Sequence, residues 1–166
     1  MQNTVDKIFT ALARAEETLH PDAVLLKDFP RSIQAEFPAF SCGEKCVYCI
    51  LKYFEKKVTH RQLKGLLRTD LSGTAKDDIK RVLKQFGLRY RVVRKVSDLR
   101  NAIDQGSPVL ISTFDSWHYC VVYGYSRTHY LVMNPSLGSM GSISVAVSRG
   151  RFLKEFDGWG LAVSPP

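Results

Sequence analysis

The chain has 166 residues, of which 45% are hydrophobic and 24% are charged, and its formal net charge at pH 7 is +8. These values fit one globular domain that buries about 70% of its unfolded surface, and they exclude a disordered chain. At this size neither a metal nor a disulfide is required for stability.

No targeting segment is recognisable. The first 20 residues carry acidic and basic side chains and lack the apolar segment of a signal peptide. No apolar run approaches the roughly 18 residues that a membrane helix needs. We therefore expect a cytoplasmic protein with no membrane partner, with secretion by a signal-less route left open.

Helical periodicity dominates the first half of the chain. Residues 3–18 are predicted to form an amphipathic helix, and an irregular, proline-punctuated stretch follows. The clearest helix spans residues 43–56, where an apolar stripe is flanked by residues that are predicted to face water. The stripe contains Cys46, Val47, Ile50, Leu51 and Phe54, and the water-facing residues are Lys45, Lys52, Glu55 and Lys56.

Two capping boxes predict where the next helices begin. Thr59 followed by Gln62 predicts a short helix through Arg68, and Thr74 followed by Asp77 predicts a helix that stops at Gly87. Strand-forming segments then dominate, with short helices between them. The predicted strands are 88–94, 109–114, 118–125, 130–133, 142–147 and 160–163, and the predicted helices are 97–105 and 152–156. Because helices and antiparallel strands are segregated along the chain, the predicted class is α+β.

Cys42 is the first candidate for chemistry. It directly precedes Gly43 and the clearest helix, so it stands at the positive end of a helix dipole, which stabilises a thiolate. The free backbone N–H groups of that helix start can also face an oxyanion. One position can therefore supply a nucleophile and part of its oxyanion hole.

His118 and Asn134 are the candidates for a base and for the residue that orients it. Unlike the other three histidines, His118 opens an apolar strand. Asn134 closes the next strand, and a turn over residues 126–128 would bring both to the same edge of a hairpin. A Cys-His pair with a third orienting group is the arrangement that nucleophilic catalysis requires.

These residues support a resemblance to a known family. The segments Ser41 to Cys46, His118 to Gly124 and Met133 to Pro135 resemble motifs of the bacteriocin-processing cysteine peptidases, which cleave double-glycine leaders. The similarity covers roughly residues 34–163, and Phe152 with Trp159-Gly160 adds to it. It implies a papain-like fold with helices packed on a C-terminal antiparallel sheet, a Cys nucleophile, a His base, an acidic or amide orienter, an upstream Gln at the oxyanion hole, and no cofactor.

The chain departs from the family pattern in three places. The family's orienter is usually Asp, whereas this chain has Asn134. The family's Gln stands about six residues before the Cys, where this chain has Glu36; the nearest Gln is Gln34, which we assign to the oxyanion hole. These domains often begin peptide-exporting ABC transporters, but no transporter segment follows here, so coupling to export within this chain is not expected.

Competing interpretations use the same cysteines. The spacing Cys42-x3-Cys46-x2-Cys49 matches the iron–sulfur motif of radical S-adenosylmethionine enzymes, although a helix is a poor place for a cluster that needs a loop. Zinc held by these three with His118 or Cys120 is a second metal hypothesis. An interpretation without a metal is that the chain is a catalytically silent, peptidase-like binding module. Papain-like folds also include deamidases, so a glutamine side chain is an alternative substrate.

Charge is concentrated in one block. Residues 56–100 hold 14 Lys or Arg residues against four Asp residues, a local net charge of +10. This block could bind an acidic partner, whereas nucleic acid is not expected.

We predict an extension over residues 1–33 and, over 34–166, a papain-like cysteine peptidase domain with Cys42, His118 and Asn134 as its triad. It would act on a peptide or protein substrate and bind no metal.

Overall fold

The computed structural model describes residues 20–30, 42–113, 118–135 and 143–166, with Ile143 described through its backbone alone. The helix predicted over residues 3–18 lies outside these ranges. Five helices lie within them, and their bounds are α1 Cys42–Tyr53, α2 His60–Leu67, α3 Lys76–Gln85, α4 Val96–Asp104 and α5 Arg149–Glu155. None of the described helices is long and apolar enough to cross a membrane.

Seven described strands form one antiparallel sheet. Their bounds are β1 Val24–Leu25, β2 Arg89–Val93, β3 Val109–Thr113, β4 His118–Tyr125, β5 His129–Asn134, β6 Ile143–Ser148 and β7 Phe156–Ser164. The order across the sheet is β2-β7-β3-β4-β5-β6, and the short β1 pairs with the far end of β4. The predicted α+β class, with helices packed on an antiparallel sheet, is therefore confirmed.

The core lies between the sheet and helices that pack on its central strand. α1 and α4 both contact β4, and α2 and α3 pack against α1. The predicted stripe of α1 is fully buried at Cys46, Val47, Ile50 and Leu51. All five residues of β3 are buried, and because successive side chains of a strand point to opposite faces, both faces of the sheet are covered there. Apolar burial of this kind is the main force that orders the domain.

The helix starts follow one predicted capping box and not the other. At α2, the Thr59 hydroxyl accepts from the Gln62 N–H at 3.3 Å, and the Gln62 side chain accepts from the Thr59 N–H at 3.0 Å. The prediction of a capping box at Thr74 is wrong, because the N-cap residue of α3 is Ala75 and no side chain caps the helix. The Thr74 hydroxyl instead lies 2.8 Å from that of Thr69.

Two further expectations are corrected. The proline-punctuated stretch was predicted to be irregular, but its residues Val24 and Leu25 form β1 through pairing with Tyr125 and Gly124. Lys45 was predicted to face water and is instead buried, with 2% of its surface exposed. Glu44 beside it is also buried, so the first turn of α1 lies inside the protein.

Candidate active site

Cys42 is the first residue of α1, and its side chain is half-buried. The backbone N–H groups of a first helical turn lack partners within the helix, and they favour negative charge nearby. Gly43 holds this helix start close to the loop before α3, because a Cβ atom there would lie 2.7 Å from the Thr74 Cβ atom. The close approach of Gly43 to Thr74 thus fixes the helix start that carries Cys42.

His118 and Asn134 meet across the β4–β5 hairpin. His118 is the first residue of β4, and its Nε2 atom lies 2.9 Å from the Oδ1 atom of Asn134 at the end of β5. An amide oxygen can only accept, so Nε2 is the donor and carries the proton. In the neutral ring the lone pair is therefore on Nδ1, which is the nitrogen left for a nucleophile.

The surroundings of His118 favour its neutral form. Burial lowers the pKa of the imidazole below its ordinary value of 6.5. The hydrogen bond with Asn134 opposes this shift, and the positive charge of Lys45 adds to it. A neutral imidazole is the form that can accept a proton from a thiol.

Lys45 is a member of this site that the sequence interpretation missed. Its ammonium group donates to the carbonyl oxygen of Pro135, the residue after Asn134, at 3.4 Å. Burial lowers its pKa, whereas negative charge on the cysteines at positions 42 and 46 and on Glu44 would raise it. A signal was present in the sequence: Lys45 follows Cys42 by three residues, a spacing that puts both on one face of a helix.

Tyr119 and Trp159 form the wall beside the helix start. The Tyr119 hydroxyl donates to the Thr74 carbonyl oxygen at 3.0 Å, and its ring meets that of Trp159 edge-on, with centroids 6.0 Å apart. The Lys76 ammonium lies 4.6 Å from the Trp159 ring centroid. Burial raises the pKa of Tyr119, so its hydroxyl stays protonated and keeps this contact.

The three other cysteines are core residues. Cys46, which belongs to the predicted stripe, and Cys49 are fully buried in α1, and Cys120 is buried in β4. Burial raises the pKa of all three thiols. Within the described ranges no group of three or more His, Cys, Asp or Glu side chains could hold a metal ion.

The proposed oxyanion residue lies outside the described ranges. Gln34 belongs to the segment 31–41, as does Glu36, so its assignment stays a prediction. The backbone N–H of Cys42, the other expected donor, lies at the described helix start. The catalytic roles of Cys42, His118 and Asn134 also stay predictions, although the expected contact between His118 and Asn134 is present.

The basic block covers α2, α3 and β2 and is partly neutralised within itself. Asp78 pairs with Arg68 and Arg81, and Asp77 pairs with Lys80. An open groove of about 630 Å³ lies against α2. Its lining combines the cations Lys57 and Arg61 with apolar Val58, Leu66 and Phe86. An acidic partner at this surface remains a prediction.

Comparisons with known proteins give matches in both sequence and fold. The model of the peptidase C39 family matches residues 32–166. The chain is 28% identical over 127 residues to the lactococcin-G-processing and transport ATP-binding protein LagD of Lactococcus lactis subsp. lactis. That match covers 75% of this chain and 17% of the transporter, so the chain spans about a sixth of that relative.

Two solved structures share the fold. The peptidase domain of Streptococcus ComA, a bifunctional ABC transporter of a quorum-sensing pathway, has a TM-score of 0.70 at 20% identity; 82% of this chain and all of that one are covered. A double-glycine-motif protease from an AMS/PCAT transporter, solved in complex with its leader peptide, has a TM-score of 0.64 at 18% identity. That alignment covers 81% of this chain and 90% of the protease.

Proposed function

Because the chain belongs to the peptidase C39 family, we propose that it is a cysteine peptidase with Cys42 as nucleophile, His118 as base and Asn134 as the orienting residue. The predicted domain of residues 34–166 would carry the whole reaction, without a cofactor. The substrate would be a peptide or protein, as the leader-peptide complex of a related fold suggests. A cytoplasmic site of action stays a prediction.

The proposed reaction proceeds through an acyl-enzyme. His118 Nδ1 takes the thiol proton as the Cys42 sulfur attacks the scissile carbonyl carbon, which gives a tetrahedral oxyanion. The N–H of Cys42 and the side chain of Gln34 would stabilise that oxyanion. The imidazolium then protonates the leaving amine, the C–N bond breaks, and water activated by His118 releases the acid product and restores the thiol.

The hydrogen bond between His118 and Asn134 is the observation that carries this proposal. It fixes the ring through Nε2 and leaves the lone pair of Nδ1 for a thiol. The proposal requires the Cys42 sulfur and Nδ1 to lie within about 4 Å, allowing for a loose site without substrate. A crystal structure with a clearly larger separation and no movable loop between them would exclude the mechanism.

The family match favours peptide cleavage over glutamine deamidation, and an enzyme over a silent module. Mass spectrometry distinguishes these functions. Wild type and Cys42→Ala are incubated with a panel of peptides that includes double-glycine leaders and with intact proteins. We expect new termini with wild type alone. A mass gain of about one unit at glutamine would indicate a deamidase, and no product from any substrate would favour the binding module.

We also propose that the groove beside α2 binds an acidic and partly apolar stretch of the substrate. The arrangement of Lys57 and Arg61 around apolar Val58, Leu66 and Phe86 supports this proposal. Such a surface attracts carboxylates at long range and buries apolar side chains on contact. It would add affinity at a distance from the scissile bond.

A further inference from the structure

Lys45 is an unusual residue in the interior of this protein. Its side chain is 2% exposed, and burying an ammonium group costs free energy unless the charge finds compensation. The described hydrogen bond of the ammonium goes to the neutral carbonyl oxygen of Pro135 at 3.4 Å. A carbonyl dipole compensates a buried charge less well than an anion does, and the buried carboxylate of Glu44, which also favours the charge, contacts His60 instead. The charge therefore calls for an explanation beyond stability.

The place of Lys45 on α1 provides one. Side chains on a helix lean toward its N-terminus, and residues three apart lie on one face. The stem of Lys45 therefore runs over the turn that carries Cys42. Its ammonium reaches Pro135, which directly follows the partner of His118. Lys45 thus connects the helix that carries the thiol with the strand end that holds the imidazole.

We propose that Lys45 is a positioning residue of this active site, whose buried positive charge stabilises the negative charge that forms on the Cys42 sulfur when His118 takes its proton, and so sets the pH range in which the nucleophile reacts. The inference rests on the proposed function, because it takes Cys42 to be the nucleophile. It adds a charge to the predicted Cys-His-Asn triad.

The neutral partner of His118 explains why such a charge is needed. An Asp at position 134 would stabilise an imidazolium, which in turn would stabilise the thiolate. Asn134 carries no charge, and burial disfavours the imidazolium. A thiolate in this site therefore has to find its counter-charge elsewhere. Lys45 and the positive end of α1 provide that charge from the same helix turn.

The other titratable groups around the pair leave this assignment in place. They come from α1, β4, α5 and β7 and are Glu44, Cys46, His118, Tyr119, Cys120, Glu155 and Asp157. Burial raises the pKa of Cys46, Tyr119 and Cys120, so these groups stay neutral through the physiological range. Glu44 contacts Nε2 of His60 at 2.9 Å through its own carboxylate.

Alkylation of the thiol tests the proposal without any substrate. The rate constant for iodoacetamide is measured from pH 5 to 9 on the full chain, with Cys42→Ala giving the background from the buried cysteines. We expect Lys45→Met to raise the midpoint of the curve of rate constant against pH by about one pH unit. At pH values below the midpoints of both proteins, the variant should be alkylated about tenfold more slowly. Lys52→Met, which removes an exposed charge from the far end of α1, should leave the midpoint within about 0.2 units.

Lys45→Gln separates charge from hydrogen bonding, because it keeps a donor near Pro135 and loses the charge. We expect it to shift the midpoint as Lys45→Met does. A wild-type midpoint in either folded variant would overturn the proposal, and circular dichroism identifies the folded ones. If Lys45→Met fails to fold, the Lys45→Gln midpoint decides. A shifted midpoint in an enzyme that cleaves nothing would retain the role of Lys45 and reject the peptidase instead.

Discussion

The Nε2 atom of His118 lies 2.9 Å from the Oδ1 atom of Asn134, so the first residue of β4 and the last residue of β5 are joined by one side-chain hydrogen bond. The two strands run antiparallel, and a register shift between Val122 and Gly124 interrupts their pairing. The contact joins an imidazole ring, which can accept and release a proton, with a side-chain amide, which does neither at physiological pH. Asn134 can therefore act on the reaction through orientation, and not through charge.

The first prediction follows from this contact. Asn134→Ala should lower turnover by on the order of 10- to 1000-fold without unfolding the protein, between the loss of a positioning hydrogen bond and the loss of a triad member. Asn134→Asp should keep activity, and Cys42→Ala should abolish it. Turnover and melting temperature are measured for all three. Near-normal turnover of Asn134→Ala with a small loss of stability would mean that Asn134 serves as a turn residue before Pro135.

The second prediction concerns pH and stability. The pKa of His118 is lower in the folded protein than its ordinary 6.5, mainly because the ring is buried. The unfolded chain therefore binds the proton more tightly, so the stability contribution is complete above about pH 6.5 and is lost as the pH falls below it. We expect the melting temperature to fall by a few degrees from this source between pH 7 and 5.

Two variants isolate the contribution of His118 to that slope. His118→Gln removes the titrating ring and should flatten the dependence in this window. Asn134→Ala removes the hydrogen bond that raises the pKa, so it should extend the loss of stability to lower pH. Thermal melts at half-unit pH steps give the slopes. An unchanged slope in His118→Gln would show that other groups cause the dependence.

The third prediction uses two glycines with opposite surroundings. A Cβ atom at Gly43 would lie 2.7 Å from the Cβ and Oγ1 atoms of Thr74, so Gly43→Ala should cost about 1–3 kcal/mol of stability and lower turnover by displacing Cys42. Gly65 lies within α2 with open space around it, so Gly65→Ala should stabilise by about 0.5–1 kcal/mol. Urea unfolding measures both. Equal changes in the free energy of unfolding for the two substitutions would contradict the close approach at Gly43.

The fourth prediction concerns the groove against α2. Reversing the charges of Lys57 and Arg61 to Glu should raise KM for an acidic peptide by on the order of tenfold at low salt and leave kcat unchanged. Added salt should shrink the difference, because exposed charges are screened. Lys154→Glu, an exposed charge on α5, is the control and should have little effect. A loss confined to kcat would indicate that the groove does not bind substrate.

The hairpin that joins His118 and Asn134 could be predicted because its information is local. Two apolar strands and a turn of three residues fix which strand ends meet. The burial of Lys45 could not be predicted in the same way, because it depends on Pro135, 90 residues away. Thr74 shows the same limit: its local pattern is that of a cap, but its hydroxyl bonds Thr69 and its carbonyl accepts from Tyr119. Two-residue β1 exists only through its pairing with β4.

The burial of the first turn of α1 has a consequence for how this protein loses its reaction centre. Helix ends usually fray, but Gly43, Glu44 and Lys45 are buried against neighbouring elements, and β4 lies between β3 and β5. Amide hydrogens that are bonded within α1 and β4 should therefore exchange with solvent only through openings nearly as costly as global unfolding. Cys42 and His118 would then stay in place until the domain melts as a whole, and activity would disappear together with the fold.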